Sequence, residues 1–139
     1  MVQHDDLAAL LRKRNLKATA TRIKVLSIID NYSNAIPFSN LQSELDDFDR
    51  VTLYRTIQSL VENGIIHKAL TEANETYYAL CDRECSSGKH NHDHVHFKCT
   101  SCDVVSCVLP ANPIGITIPN HIIDNFKIEA TGICVACAQ

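Results

Sequence analysis

Two Cys-x-x-Cys pairs, Cys99/Cys102 and Cys134/Cys137, constrain this chain more than any other feature. A two-residue gap turns both thiolates of a pair onto one cation, and two such pairs complete a tetrahedral Zn(Cys)4 site with bonds of about 2.3 Å. Residues 103–133 separate the pairs, a longer gap than in a compact zinc ribbon. The site is therefore expected to tie a C-terminal strand back onto an earlier one. A closed four-thiolate shell has no open position for a reactant, so it reads as a structural staple. The odd total of seven Cys fits such a site plus extras better than a disulfide framework.

Nothing near the N-terminus competes with that reading. The longest early apolar run, Leu7–Leu11, is five residues beside Asp5, Asp6 and Arg12. A signal peptide needs an apolar region of roughly 7–15 residues, and a membrane span needs about 20. The chain is expected in the cytoplasm, with no membrane partner, where thiols stay reduced and clustered Cys bind metal.

At 139 residues, 45% hydrophobic and 21% charged, the chain has room for one ordinary domain or two small ones. Its first half reads as helices. Leu7, Leu10 and Leu11 form a short stripe, and Thr19 or Thr21 N-caps a helix with Ile23, Leu26 and Ile28 or Ile29 inward. A short third helix fits Ser39–Leu45. Asp49 then caps a fourth, with Val51, Tyr54, Ile57, Leu60 and Val61 on the apolar stripe and Gly64 at its end. The other face carries Arg50, Thr52, Arg55, Thr56 and Ser59.

Two β-prone runs, Ile65–Leu70 and Thr76–Leu80, flank Thr71–Glu75 as a hairpin. Helices, then an Arg-bearing polar helix, then a hairpin match a winged helix-turn-helix. The formal net charge of −3 does not exclude DNA, because residues 1–24 carry six Lys+Arg against two Asp+Glu.

Residues 82–93 contain Ser-Ser-Gly and no apolar period, and read as a hinge or loop. Strands are expected over 94–98, 103–109 and 122–133, while Pro110, Pro113 and Pro119 break any helix between them. Within this half, His94 and His96 alternate with Val95 and Phe97, so both imidazoles of a half-buried strand face one side and can share a metal. Cys85, His90 and His92 are possible extra ligands, Cys81 is a buried, redox or ligating thiol, and Cys107 reads as core.

In combination and in order, four segments resemble the ferric uptake regulator (Fur) superfamily: Asp49–Thr56, Gly64–Ile66, His94–Cys99 and Gly132–Cys137. The resemblance runs from about Leu7 to Cys137. It implies an α+β chain: an N-terminal winged helix-turn-helix, then a small C-terminal α/β, mostly β, dimerisation domain with the Zn(Cys)4 site. The expected division is 1–80 for DNA binding, 81–93 for the hinge, and 94–139 for dimerisation and metal binding. By the same resemblance, the zinc uptake regulator branch places a regulatory metal on His67, Cys81, His94 and His96. A shell of imidazoles and thiolate suits zinc, whereas oxygen-rich shells suit iron or manganese. Zinc is therefore expected at the regulatory site, with Fe or Mn there as the alternatives.

The resemblance implies a homodimeric, zinc-responsive repressor that controls zinc uptake genes by binding double-stranded DNA at a pseudo-palindromic operator. Tyr54 and Arg55 are expected to meet the DNA with Thr52 beside them, Arg55 being able to read a guanine, and Lys17 and Arg22 to contact phosphate or the minor groove. The chain departs from the family in having Ala35 and Ile36 where a histidine is usual, and Val95 and Phe126 at the family's third metal site. An iron- or peroxide-responsive regulator is the alternative within the family. Outside it stands a thiol-redox sensor using Cys81 and Cys85. A zinc hydrolase lacks its motif, since no His-Glu-x-x-His occurs, and no catalytic residue is assigned.

Overall fold

The computed structural model describes residues 4–32, 34–80, 95–112, 114–124 and 126–139. Helix α1 (His4–Lys13) stops where Asn15 takes a φ of 63°. There the Leu16 and Asn15 amides bond back to the Leu11 and Arg12 carbonyls at 2.9 and 3.0 Å. This pairing satisfies carbonyls that the last helical turn leaves open. Thr19 caps α2 (Ala20–Asn31) by accepting the Arg22 amide at 3.3 Å.

A two-residue strand β1 (Ile36–Pro37) leads into α3 (Phe38–Glu44). Asp49 opens α4 (Arg50–Glu62) by accepting the amide and the hydroxyl of Thr52 at 2.9 and 2.7 Å. These bonds, the hydroxyl's first, hold the Asp49 carboxyl below its ordinary pKa. The helix closes as α1 does. Ile65 donates to Leu60 at 3.0 Å and Gly64 to Val61 at 3.1 Å, with Gly64 at φ 72°, where a β-carbon would be strained.

The hairpin follows as β2 (Ile66–Glu72) and β3 (Glu75–Leu80). Its connection is tighter than the five residues the composition implies. Ala73 and Asn74 take φ values of 52° and 63°, making a two-residue turn, so Thr71, Glu72, Glu75 and Thr76 pair across the ladder. A bulge lies between Lys68 and Leu70. With β1 on the far edge the sheet order is β1-β3-β2.

Four helices and this sheet bury a cluster of sixteen residues, among them Leu11, Leu26, Leu41, Leu53, Leu60 and Ile66. The α4 stripe needs correction. Leu53, Ile57 and Leu60 are its buried residues, while Val51 and Tyr54 are 57% and 54% exposed. Spacings of four and three put Leu53, Ile57 and Leu60 on one line of the helix. Val51 and Tyr54 fall on the adjoining line, outside the core.

The second half forms another three-stranded sheet, order β5-β4-β6. Strand β4 (Val95–Cys99) pairs antiparallel with β5 (Val105–Val108) and parallel with β6 (Ile128–Gly132). The strand expected over 122–133 is thus confined to its second half. Among the described residues between 109 and 127 there is neither helix nor strand, consistent with the prolines there. A last turn, α5 (Val135–Ala138), follows Cys134.

The two sheets meet at β2 and β5. Ala35 donates its amide to Val105 at 2.9 Å, and Ala35, Ala69, Leu70 and Val105 make a small buried cluster at the junction. Lys98 on β4 reaches Glu72 on β2 at 2.8 Å. The expected hinge, 82–93, lies outside the described residues, as do Cys81, Cys85, His90, His92 and His94.

Candidate metal centres and the exposed helix face

Strand β4 runs straight into the first Cys pair. Cys99 is its last residue, and the chain then reverses, with the Cys99 amide donating to Val104 at 3.0 Å and Asp103 to Cys99 at 2.9 Å. Asp103 makes that reversal at φ 61°. Parallel β6 ends beside it, with Gly132 opposite Cys99, and so delivers Cys134 and the short α5 that carries Cys137. The four sulfurs, of Cys99, Cys102, Cys134 and Cys137, lie within 4.8 Å of one another. Cys102 and Cys134 are 3.8 Å apart. A tetrahedron with metal–sulfur bonds of about 2.3 Å has sulfur–sulfur edges of about 3.8 Å, so the pair already has the spacing of two ligands on one zinc.

The electrostatics agree. The Cys99 sulfur accepts the amides of Cys134, Ser101 and Cys102 at 3.4, 3.4 and 3.5 Å. Those donors, Cys134's first, lower its pKa to about 6. Ser101 favours the Cys137 thiolate, but the Cys134, Cys102 and Cys99 sulfurs outweigh it and push Cys137 up to about 12. Four crowded sulfurs resist ionising together, and a dication removes that conflict. With four thiolate donors and no oxygen, the cluster fits a structural zinc.

A second cluster joins the halves. His67 on β2, His96 on β4 and Cys107 on β5 hold their donor atoms within 4.8 Å of one another. His67 Nε2 is 3.4 Å from the Cys107 sulfur, and the two imidazoles stack at 5.5 Å between centroids and 23° between planes. Cys107 packs against the small junction core, as its strand pattern implies, and also lies beside the two imidazoles. It is half-buried, burial raises its thiol pKa, and it stands directly across the ladder from His96. A signal for it exists in the sequence. Folding the chain back at the Cys99–Cys102 turn pairs residues outward, 98 with 105 and 96 with 107. Of the expected regulatory set, the structure brings His67 and His96 together; Cys81 and His94 lie outside the described residues.

The exposed side of α4 presents Arg50, Thr52, Tyr54, Arg55 and Gln58, with no acidic residue before Glu62. Thr52 is exposed, but its hydroxyl is already donated to Asp49. Between α4, α3 and the hairpin tip lies a groove of about 650 Å³ lined by Arg50, Tyr54, Arg55, Gln42 and Asn74. Lys17 is exposed; Arg22 is half-buried and gives one N–H to the Lys17 carbonyl at 3.0 Å.

Comparison with known proteins decides the family. The sequence profile described as the ferric uptake regulator family matches residues 13–113. This chain belongs to the ferric uptake regulator family. The ferric uptake regulation protein of Staphylococcus epidermidis is 28% identical over 144 residues, covering 97% of this chain and 96% of that protein. The zinc uptake regulation protein of Escherichia coli K12 is 26% identical over 136 residues, covering 91% and 76%. A zinc uptake regulator solved in complex with zinc and DNA superposes with a TM-score of 0.64 at 24% identity, over 99% of this chain and 97% of that one. The chain is thus a metal-responsive regulator of the Fur family, with the family's winged helix and C-terminal sheet. No described helix is long and apolar enough to cross a membrane.

Proposed function

We propose that the chain is a zinc-responsive repressor: a cytoplasmic homodimer that binds double-stranded DNA when its regulatory site is filled and controls zinc uptake genes. The observation that carries this reading is the meeting of His67 from the hairpin with His96 from the C-terminal sheet. A cation held by both, with Cys81 and His94 as further ligands, would bind one relative placement of the halves better than any other. That differential affinity sets how far the population moves toward it. The donors are nitrogen and sulfur, which favours zinc over manganese or iron. The likeness to a zinc uptake regulator bound to zinc and DNA supports the same direction.

In a dimer, two copies of α4 would enter successive major grooves, so the operator would be pseudo-palindromic. Arg55 can read a guanine through a bidentate pair, with Tyr54 and Thr52 beside it, while Lys17 and Arg22 meet the phosphates or minor groove. The Cys99, Cys102, Cys134 and Cys137 zinc holds β4, β6 and the C-terminal turn in place for this. The test is selection of duplexes from a random library with zinc present, followed by binding of the selected duplex with zinc, iron(II) or manganese(II) titrated in. Inverted half-sites and a zinc-selective gain in affinity are expected. Equal binding with and without zinc overturns the reading.

A further inference from the structure

We propose that the Cys107 thiolate is itself a ligand of the regulatory metal, and that it restricts this site to zinc-like ions against manganese(II) and iron(II). The inference rests on the reading of His67 and His96 as that site. Three observations lead to it. Cys107 faces His96 directly across the β4–β5 ladder. Its sulfur lies 3.4 Å from His67 Nε2, and all three donor atoms fall within 4.8 Å. Tetrahedral zinc, with bonds of about 2.0–2.1 Å to nitrogen and 2.3 Å to sulfur, has ligand–ligand edges of about 3.3–3.8 Å. The sulfur–imidazole spacing therefore suits two ligands of one ion.

Binding is an exchange of a proton for a metal. The sulfur–hydrogen bond breaks, the sulfur–metal bond forms, and the proton leaves to water without change of oxidation state. The chemistry of the donors then selects the ion. Among the described residues the cluster contains two imidazoles and a thiol, and no carboxylate. Manganese(II) and magnesium prefer oxygen ligands, whereas thiolate and imidazole together suit zinc. Cys107 also places the metal on a third strand. Val105, two residues earlier on β5, accepts the amide of Ala35, which precedes β1. A metal bond on β5 thus reaches the winged helix by two routes, through His67 on β2 and through that amide.

The test uses the full-length dimer with its four-cysteine zinc in place, comparing the native chain with Cys107→Ser, Cys107→Ala and Cys107→Asp. Cobalt(II) replaces the second metal as a probe, because a thiolate ligand adds a sulfur-to-cobalt charge-transfer band. Cys107→Ser and Cys107→Ala should weaken that band and lower affinity for the second zinc by roughly 10–100-fold or more, given that even outer-shell changes act on this scale. Cys107→Asp should shift DNA binding toward activation by manganese(II). The alanine variant serves if serine disturbs the half-buried position, and retention of the first zinc confirms that the sheet is intact. An unchanged band and unchanged second-zinc affinity in both truncations overturn the proposal. His96→Ala separates the levels. If it abolishes second-zinc binding while the Cys107 variants do not, Cys107 is no ligand but the site stands. If it too changes nothing, the regulatory-site reading falls with it.

Discussion

The two halves of this chain are held together by different physics. The winged-helix half encloses sixteen buried residues around Leu26, Leu41 and Leu53. Beyond residue 94, among the described residues, only Cys99 and Val105 are buried apolar side chains. The same stretch exposes Val108, Leu109, Ile114, Ile116, Ile118 and Ile122, with Ile122 95% exposed. A sheet so thin cannot gain enough from apolar burial alone, and small units in that position use metals or oligomerisation instead. The four-cysteine cluster sits where β4, β6 and the C-terminal turn converge, and so takes the place of a core. One half is stabilised by apolar burial; the other leaves its apolar side chains exposed in the single chain and gathers four cysteine sulfurs instead.

The most damaging way to break that contrast is Cys99→Ser. It should remove one zinc per chain and abolish amide-exchange protection in β4, β5 and β6, while protection in α2 and α4 persists. Metal analysis with hydrogen exchange reads both effects. Uniform loss of protection across the chain would mean that the halves do not differ as argued. Leu53→Ala is the opposite experiment. Leu53 is fully buried, and its truncation should cost about 2–5 kcal/mol in the winged-helix half, with zinc stoichiometry unchanged. Denaturant unfolding followed by circular dichroism measures it.

Arg55→Ala tests the exposed side of the helix that Leu53 anchors. Stability should move within about 0.5 kcal/mol, as for surface changes generally. Affinity for the selected duplex should fall, with discrimination of about 1–3 kcal/mol lost at one base pair. A smaller effect comes from acid. The Asp49 carboxyl has a lowered pKa in the folded chain, so its contribution is present above its unfolded value and is lost as pH falls through the folded one. Relative to Asp49→Asn, the native chain should therefore lose melting temperature below about pH 4 and not above it. Parallel melting curves for the two across that range would remove Asp49's ionised cap from the account.

The smallest expected effect is at the junction. Lys98 and Glu72 link the halves at 2.8 Å, but Glu72 is 50% exposed, so Glu72→Gln should change stability little and less still in high salt. A large change would show that the halves depend on each other more than their separate stabilising devices imply.

Features set by neighbours in the chain were legible at once. The Asp49 cap and the Gly64 termination act over three to five residues, and the helix between them follows. The two Cys-x-x-Cys pairs were legible for the same reason, since each carries its own geometry. The α4 stripe is legible in part: Ile57 and Leu60 are buried and Val61 packs on the core, whereas Val51 and Tyr54 are exposed and Leu53 is buried in their place. Which line faces inward depends on what packs against the helix, and a periodicity does not contain that. Cys107 is legible only in part for a related reason: it does pack against the junction core, but its polar neighbours are not in its strand pattern. Its alternation with Val105 and Leu109 is that of any half-buried strand. Its neighbours His67 and His96 stand on two other strands.

By itself, then, the sequence determined the winged-helix elements, their caps, and the four thiolates that staple the C-terminal sheet. Each of these rests on bonds or donors only a few residues apart, repeated as needed. The tertiary structure alone decided that Tyr54 faces out. It also decided that His67, His96 and Cys107, up to forty positions apart, meet within 4.8 Å. The β4–β5 register and the approach of β2 to β5 set that meeting, and both are products of packing the two sheets together.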